Sequence, residues 1–222
     1  LKTLIKKELL ADAETYGNPR RSAIVKRAES KAFSERDLMT NDPITVVLSE
    51  NGWVRAAKGH EVNGSELSYR SGDRFLASAA GKTNQTAVFF DNRGRTYALA
   101  AHLLPSARGQ GEPLSGKINP PPGALFTGLV LDEPEQKYLI ASDAGYGFVG
   151  KVEDMISKNK AGKAYLSVPT GAQSLPPCRI SAEAEQLIAA FTSEGRLLIF
   201  SLKDLPELAR GKGNKIINIP SA

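Results

Sequence analysis

The feature that most constrains this chain is a repeat. Val46-Val47-Leu48-Ser49-Glu50-Asn51-Gly52-Trp53-Val54 matches Val88-Phe89-Phe90-Asp91-Asn92-Arg93-Gly94-Arg95-Thr96, and the pattern returns at Leu139–Gly147 and Ala189–Leu197. Each copy is an apolar strand, then Ser, Thr or Asp, two turn residues, a glycine and a second strand. Glycine in that place supplies the positive φ a short hairpin loop needs. The four glycines stand 42, 51 and 50 residues apart. A second half of the unit recurs as well: eleven residues after the later three glycines come Pro105, Ile156 and Pro206. A unit of about 50 residues with about four strands predicts a propeller-type blade. Four such units begin near 44, 86, 137 and 186, and the chain ends just past the last strand of the fourth, which leaves room for a further closing blade.

The residues before this array read differently. Leu1, Leu4, Ile5, Leu9 and Ala13 recur at helical spacing over residues 1–16, and Gly17 sits where a C-terminal cap belongs. Residues 18–43 are polar and charged, with a second short helix expected at Ser34–Met39 and a stop at Pro43. Residues 1–37 hold nine Lys/Arg against six Asp/Glu. They account for most of the net charge of +5, so positive charge in the repeat array is local.

With 222 residues and 41% hydrophobic content, the chain can bury a sizeable core. A single cysteine, Cys178, excludes an internal disulfide framework, and two histidines and one cysteine are too few for a four-ligand zinc site. No apolar run reaches the roughly 18 residues of a membrane helix. The N-terminus lacks a signal-peptide pattern and starts without Met, so the chain reads as a fragment of a longer, cytoplasmic protein.

Positive charge returns at one place in each repeat. Small basic Gly loops follow Pro105, Ile156 and Pro206: Ala107–Gly111, Asn159–Lys163 and Ala209–Lys215. They lead into short segments ending in proline, at Ile118–Pro120, Ala164–Pro169 and Ile216–Pro220. Lys and Arg neutralise phosphate and release counterions, and glycine lets a backbone come close to an anion. Arg108, Lys117, Lys158, Lys160, Lys163, Arg210, Lys212 and Lys215 fall at or beside these loops. Arg55 and Lys58, on the second strand of the first hairpin, join them as candidate contacts. Cations recurring at blade spacing would line a rim that follows bent DNA without reading bases. Taken singly, each of these side chains would pass for a solvated surface residue; recurrence is what favours contact.

Other motif matches do not survive their context. Gly145-Tyr146-Gly147-Phe148-Val149-Gly150 satisfies a dinucleotide fingerprint, but strand residues follow where a helix is needed. Gly111–Lys117 satisfies most of a P-loop, yet Ile118 replaces the magnesium-binding Ser/Thr and Pro120-Pro121-Pro122 forbids the helix. Gly81-Lys82-Thr83 lacks the upstream glycine. His60 and His102 sit in unrelated contexts, and Cys178 reads as a small packed residue. Trp53, Tyr97, Tyr146 and Phe200 are expected in the blade core.

Several segments carry a family resemblance. Lys6–Leu9 and Ala13–Ser22 resemble the helix that leaves the breakage–reunion core of type IIA topoisomerase A subunits. Gly52–His60 resembles the first blade of their C-terminal domain, and Ala141–Gly147 and Gly211–Lys215 resemble later blades. Leu104–Leu114 and Lys212–Ala222 are similar to the topoisomerase IV version. The resemblance implies a mainly β fold, a β-pinwheel of about four to six four-stranded blades that exchange strands, preceded by an N-terminal α-helix and linker. It implies a division into 1–43, helix and linker, and 44–222, pinwheel, with blades near 44–85, 86–136, 137–185 and 186–222. It also implies that the rim binds double-stranded DNA without sequence specificity. The basic box of gyrase, Gln-Arg-Arg-Gly-Gly-Lys-Gly, has no intact copy; only Lys58-Gly59-His60-Glu61 stands in its neighbourhood. A decatenating and relaxing enzyme is thereby favoured over a supercoiling one.

The family's catalytic tyrosine, its arginine neighbour and the ATPase site map onto no residue here. No catalytic, cofactor or metal site is therefore expected in this chain. ATP and magnesium are implied for the whole enzyme, an A2B2 assembly with the ATPase-bearing partner, associated with the nucleoid. Two alternatives remain from the sequence: a propeller-type protein-interaction module, or the corresponding domain of the gyrase A protein.

Overall fold

The computed structural model describes residues 1–18, 22, 40–181 and 186–218, and the chain divides into two compact units, 1–33 and 34–222. The helix expected at Ser34–Met39, and the charged stretch around it apart from Ser22, lie outside the described residues. In the first unit, helix α1 spans Lys2–Tyr16, and ten of its 15 residues are Leu, Lys, Glu or Ala, which all favour helix. Gly17 N–H donates to Ala13 O at 2.9 Å, but its φ of −67° ends the helix in extended backbone instead of a left-handed cap.

The second unit is a series of antiparallel sheets, each built around one hairpin of the repeat. The hairpins are β1 (Pro43–Ser49) with β2 (Trp53–Lys58), β4 (Thr86–Asp91) with β5 (Arg95–Ala100), β8 (Lys137–Ser142) with β9 (Tyr146–Lys151), and β12 (Leu187–Phe191) with β13 (Leu197–Ser201). The turn glycines, Gly52, Gly94, Gly145 and Gly195, all have φ between 76° and 82°. Each donates its N–H to the residue three back, Ser49, Asp91, Ser142 or Thr192, at 3.0–3.1 Å. Among the described residues no non-glycine has a positive φ, so each loop is a turn closed by one left-handed glycine. The polar residue that opens the turn also has a task. Ser49 Oγ, Asp91 Oδ1 and Thr192 Oγ1 accept the N–H of the residue after the glycine, at 3.0, 2.8 and 3.3 Å.

Each of the first three hairpins gains an outer strand on one side: β3 (Phe75–Lys82) on β1, β7 (Phe126–Val130) on β4, and β11 (Cys178–Arg179) on β8. On the other side it receives a two-residue strand from the following repeat. β6 (Glu112–Pro113) pairs with β2, β10 (Lys163–Ala164) with β5, and β14 (Asn214–Lys215) with β9. The exchange of strands implied by the resemblance is thus present three times. In the fourth sheet the described residues form β12 and β13 alone, and Leu187 and Phe191 are 71% and 79% exposed.

The core lies between sheets. β4 is buried on both faces from Ala87 to Asp91. Ala87 and Phe89 pack with Ile44, Val46 and Leu48 of β1, while Val88 and Phe90 pack with Ile140 and Phe148 of the third sheet. Alternation of side chains along one strand therefore seals two neighbouring interfaces. This explains why Ala87–Phe90 of β4 reads as a continuous apolar run.

A further recurrence ties each hairpin to the chain behind it. Ala101, Val152 and Leu202 donate their N–H groups to the carbonyls of Gln85, Gln136 and Gln186, at 2.9, 3.1 and 2.9 Å. At these donors the second strand turns into a short helix: 3₁₀ turns at Ala101–Leu103 and Leu202–Asp204, and the one-turn helix α2 at Val152–Met155.

Candidate nucleic-acid interface

The three basic loops run from the short helices to the exchanged strands. In the first, Ala56 N–H donates to Pro105 O at 2.7 Å and Ala107 N–H to Ala56 O at 2.9 Å. The third repeats this: Val149 N–H donates to Pro206 O and Leu208 N–H to Val149 O, both at 2.9 Å. In the second, Thr96 Oγ1 donates to Met155 O at 2.8 Å. Each exit is fixed on a hairpin glycine: Gly52 O accepts from Leu114 at 2.9 Å, Gly94 O from Tyr165 at 3.0 Å, and Gly145 O from Ile216 at 2.7 Å.

The segment that follows each of the first two loops is bonded to the next loop. Asn119, beyond the first loop, donates to Lys160 O of the second at 2.8 Å. Beyond the second loop, Ser167 donates to Gly211 O of the third at 2.8 Å, and Gly211 N–H donates back to Tyr165 O at 2.9 Å. The basic loops are therefore held in a fixed succession.

The glycines act otherwise than the sequence reading expected. Gly111, Gly162 and Gly213 have φ of 89°, 72° and 76°, and a Cβ on each would stand 2.4, 2.8 and 2.1 Å from the carbonyl oxygens of Val54, Thr96 and Gly147. They bring the exchanged strand close to its neighbour, so their small size serves strand docking and not phosphate approach. Of the loop glycines, Gly109 has open space where a Cβ would go.

The candidate cations separate into three groups. Arg55 is 3% exposed, donates to Gly109 O at 3.1 Å and Ser68 O at 2.8 Å, and lies over the Tyr69 ring. This corrects its assignment as a DNA contact: its fork is consumed inside the protein. Lys117 pairs with Glu112 at 3.0 Å, and Lys163 donates to Asp154 O at 2.6 Å, so both are engaged within the protein. Lys212 Nζ stands 3.7 Å over the Tyr146 ring, and Lys215 donates to Asn218 Oδ1 at 2.5 Å, with both side chains exposed. Lys58, Arg108, Lys158, Lys160 and Arg210 are exposed and have no side-chain partner among the described residues. Lys58 and Arg108 flank one shallow depression of about 280 Å³, floored by Ala56, Ala57, Ser106 and Ala107.

Sequence reasoning missed the residues that hold these loops. Arg95 donates through Nε and Nη2 to Ala161 O at 3.1 and 2.8 Å, and through Nη2 to Gly162 O at 3.2 Å. Arg70 stacks on Trp53 at 3.7 Å. Trp53 and Tyr146 are consequently half-exposed rings under cations, not core residues, whereas Tyr97 is fully buried as expected. A cation that meets an aromatic ring only in the folded chain leaves no periodic trace in sequence.

The two nucleotide-type motifs take no nucleotide geometry. Gly145–Gly150 is a hairpin turn and strand β9, and Gly111–Lys117 is an exchanged strand and a single 3₁₀ turn. Neither motif fits an ATP or magnesium site. Among the described residues, no cluster of three or more His, Cys, Asp or Glu could hold a metal, and no helix is long and apolar enough to cross a membrane.

No protein-family model matches the chain. Among curated proteins it is 58% identical over 220 residues to the DNA topoisomerase 4 A subunit of Pseudomonas aeruginosa, covering 99% of this chain and 29% of that protein. It is 51% identical over 222 residues to the equivalent protein of Escherichia coli K12, again covering 29% of it. The chain therefore spans less than a third of these relatives. Among solved structures, the DNA gyrase A C-terminal domain superposes with a TM-score of 0.59 at 16% identity, covering 82% of this chain and 63% of that one, which shows the fold. The E. coli ParC C-terminal domain superposes with a TM-score of 0.75 at 51% identity, covering 81% of this chain and 73% of that domain. With half of its residues identical and its fold shared over 73% of that domain, the chain belongs to the family of the C-terminal β-pinwheel domains of DNA topoisomerase 4 A subunits.

Proposed function

We propose that this chain is a non-catalytic, DNA-binding part of a type II topoisomerase, and that it holds duplex DNA along the succession of basic loops. One observation carries the reading: Arg108, Lys158, Lys160 and Arg210 stand exposed, without side-chain partners among the described residues, on loops of which the first two each lead into a segment bonded to the next loop. Unpaired cations on a fixed frame can neutralise successive phosphates without reordering. The whole enzyme, on this reading, joins an ATPase-bearing partner in an A2B2 assembly that decatenates and relaxes chromosomal DNA in the cytoplasm. ATP and magnesium act there on other segments, and no step of cleavage is assigned to this chain.

The test is a gel shift of the 222-residue chain on linear duplexes of unrelated sequence. Binding should be equal across sequences and should strengthen by an order of magnitude or more as salt falls from about 200 to about 50 mM. Binding that depends on sequence, or that resists salt as a peptide in an apolar groove would, contradicts the reading.

A further inference from the structure

We infer that Arg95 is a positioning residue for the loop 157–162, and through it for the phosphate contacts of Lys158 and Lys160, which rests on the DNA-binding reading above. Arg95 opens strand β5 in the second repeat, and the loop it holds lies more than sixty residues further along the chain. Its planar fork spans two successive carbonyls, Ala161 O and Gly162 O. Gripping neighbouring carbonyls fixes the direction of a backbone as well as its place, which a lysine's single point charge does not do.

The flanks of this loop are secured without the Arg95 side chain. Met155 O is held by Thr96 Oγ1 before it. After it, Lys163 and Ala164 pair with Thr96 and Arg95 along the backbone, and Gly94 O accepts from Tyr165 and Leu166. Strand exchange therefore stands on main-chain bonds, and the guanidinium adds hold at the tip. At the tip, Asn159 Oδ1 accepts the Ala161 N–H at 3.0 Å and Asn119 donates to Lys160 O at 2.8 Å. Lys158 and Lys160 thus project from a backbone pinned on two sides. The first loop is also held by an arginine: Arg55 donates to Gly109 O beside the exposed Arg108 and to Ser68 O, while main-chain bonds at Ala56 and Val54 hold the flanks. Two loops each held by an arginine from the second strand of the preceding repeat's hairpin point to a device for presenting cations already ordered, which spares binding the entropy of ordering them.

The test is a double-mutant cycle on duplex affinity at fixed salt, with folding checked by circular dichroism at the assay temperature. The variants are R95A, K158A/K160A and their combination, with a parallel cycle using R95K. R95A should weaken binding between about two- and tenfold, and should weaken it little further once Lys158 and Lys160 are gone, because groups linked through one backbone segment couple in such cycles. R95K should resemble R95A, although it keeps the charge. Equal weakening by R95A in both backgrounds, or full binding by R95K, overturns the inference. If K158A/K160A alone binds like the unsubstituted chain, the DNA reading of this loop fails, and it fails in a variant that leaves Arg95 untouched.

Discussion

Tyr97 Oη donates to Asp91 Oδ2 at 2.8 Å, with both residues 0% exposed. Asp91 Oδ1 accepts the N–H groups of Arg93 and Arg95 at 3.0 and 2.8 Å. One buried carboxylate thereby closes the turn of the second hairpin and anchors a core ring. Tyr97→Phe should cost about 1.5–3 kcal/mol, because it strips a donor from a buried charge. Asp91→Ala should cost more, since two turn N–H groups lose their acceptor as well. Chemical denaturation of each variant measures both; a Tyr97→Phe chain as stable as the parent contradicts this role.

Three phenols titrate late. Burial first, then Asp91, pushes the Tyr97 phenol well above its usual range; burial with Asp132 does the same for Tyr138, and burial with Asp154 for Tyr165. A raised folded-state value means that the unfolded chain gives up these protons first, near pH 10. The stability contributed is whole below about pH 10 and is lost as pH rises from there towards the folded values. Alkaline unfolding followed by phenolate absorbance should show these three tyrosines ionising together with loss of structure. Ionisation of all six tyrosines before any loss of structure would contradict it.

Gly94 and Gly195 share a turn conformation, with φ of 79° and 82°, but not surroundings. A Cβ on Gly94 would stand 2.2 Å from Leu166 O, whereas Gly195 has nothing within 4 Å. Gly195→Ala should cost about 1–2 kcal/mol, the cost of left-handed backbone alone. Gly94→Ala should cost clearly more, because the exchanged strand must move. Thermal denaturation of the pair separates the two contributions; equal losses would show that strand docking at Gly94 O adds nothing.

The exposed cations are spread over several sheets, so no one loop should dominate binding. K158A/K160A should weaken duplex binding only partially, and Arg210→Ala likewise. Folding should be intact, since exposed turn substitutions usually shift stability by under about 0.5 kcal/mol. Abolition of binding by either variant in a folded chain would mean that one sheet holds the DNA.

Much of the fold was legible because its signal is conformational. A turn that needs a positive φ marks itself with glycine, and Gly52, Gly94, Gly145 and Gly195 carry that mark at blade spacing. Strand exchange was not legible from pattern. β6, β10 and β14 are two residues long, too short for any alternation, and the expectation came from family resemblance alone. The Gln85, Gln136 and Gln186 recurrence was visible at spacings of 51 and 50 residues, yet it works through main-chain carbonyls, so the side chain gave no reason to look. For the candidate interface, sequence located the basic loops but could not say which cations are spent. Arg55 and Arg95 look like their neighbours until the chain folds and turns them on carbonyls far along the sequence.

The central claim is that the exposed loop cations carry the DNA. The most direct test compares the slope of log affinity against log salt for the parent chain and for Lys58→Ala/Arg108→Ala/Lys158→Ala/Lys160→Ala/Arg210→Ala. Each lost phosphate contact should lower the slope by about 0.9. The account predicts a substituted chain that folds, binds weakly and responds little to salt. An unchanged slope in that chain would place the DNA elsewhere and contradict it.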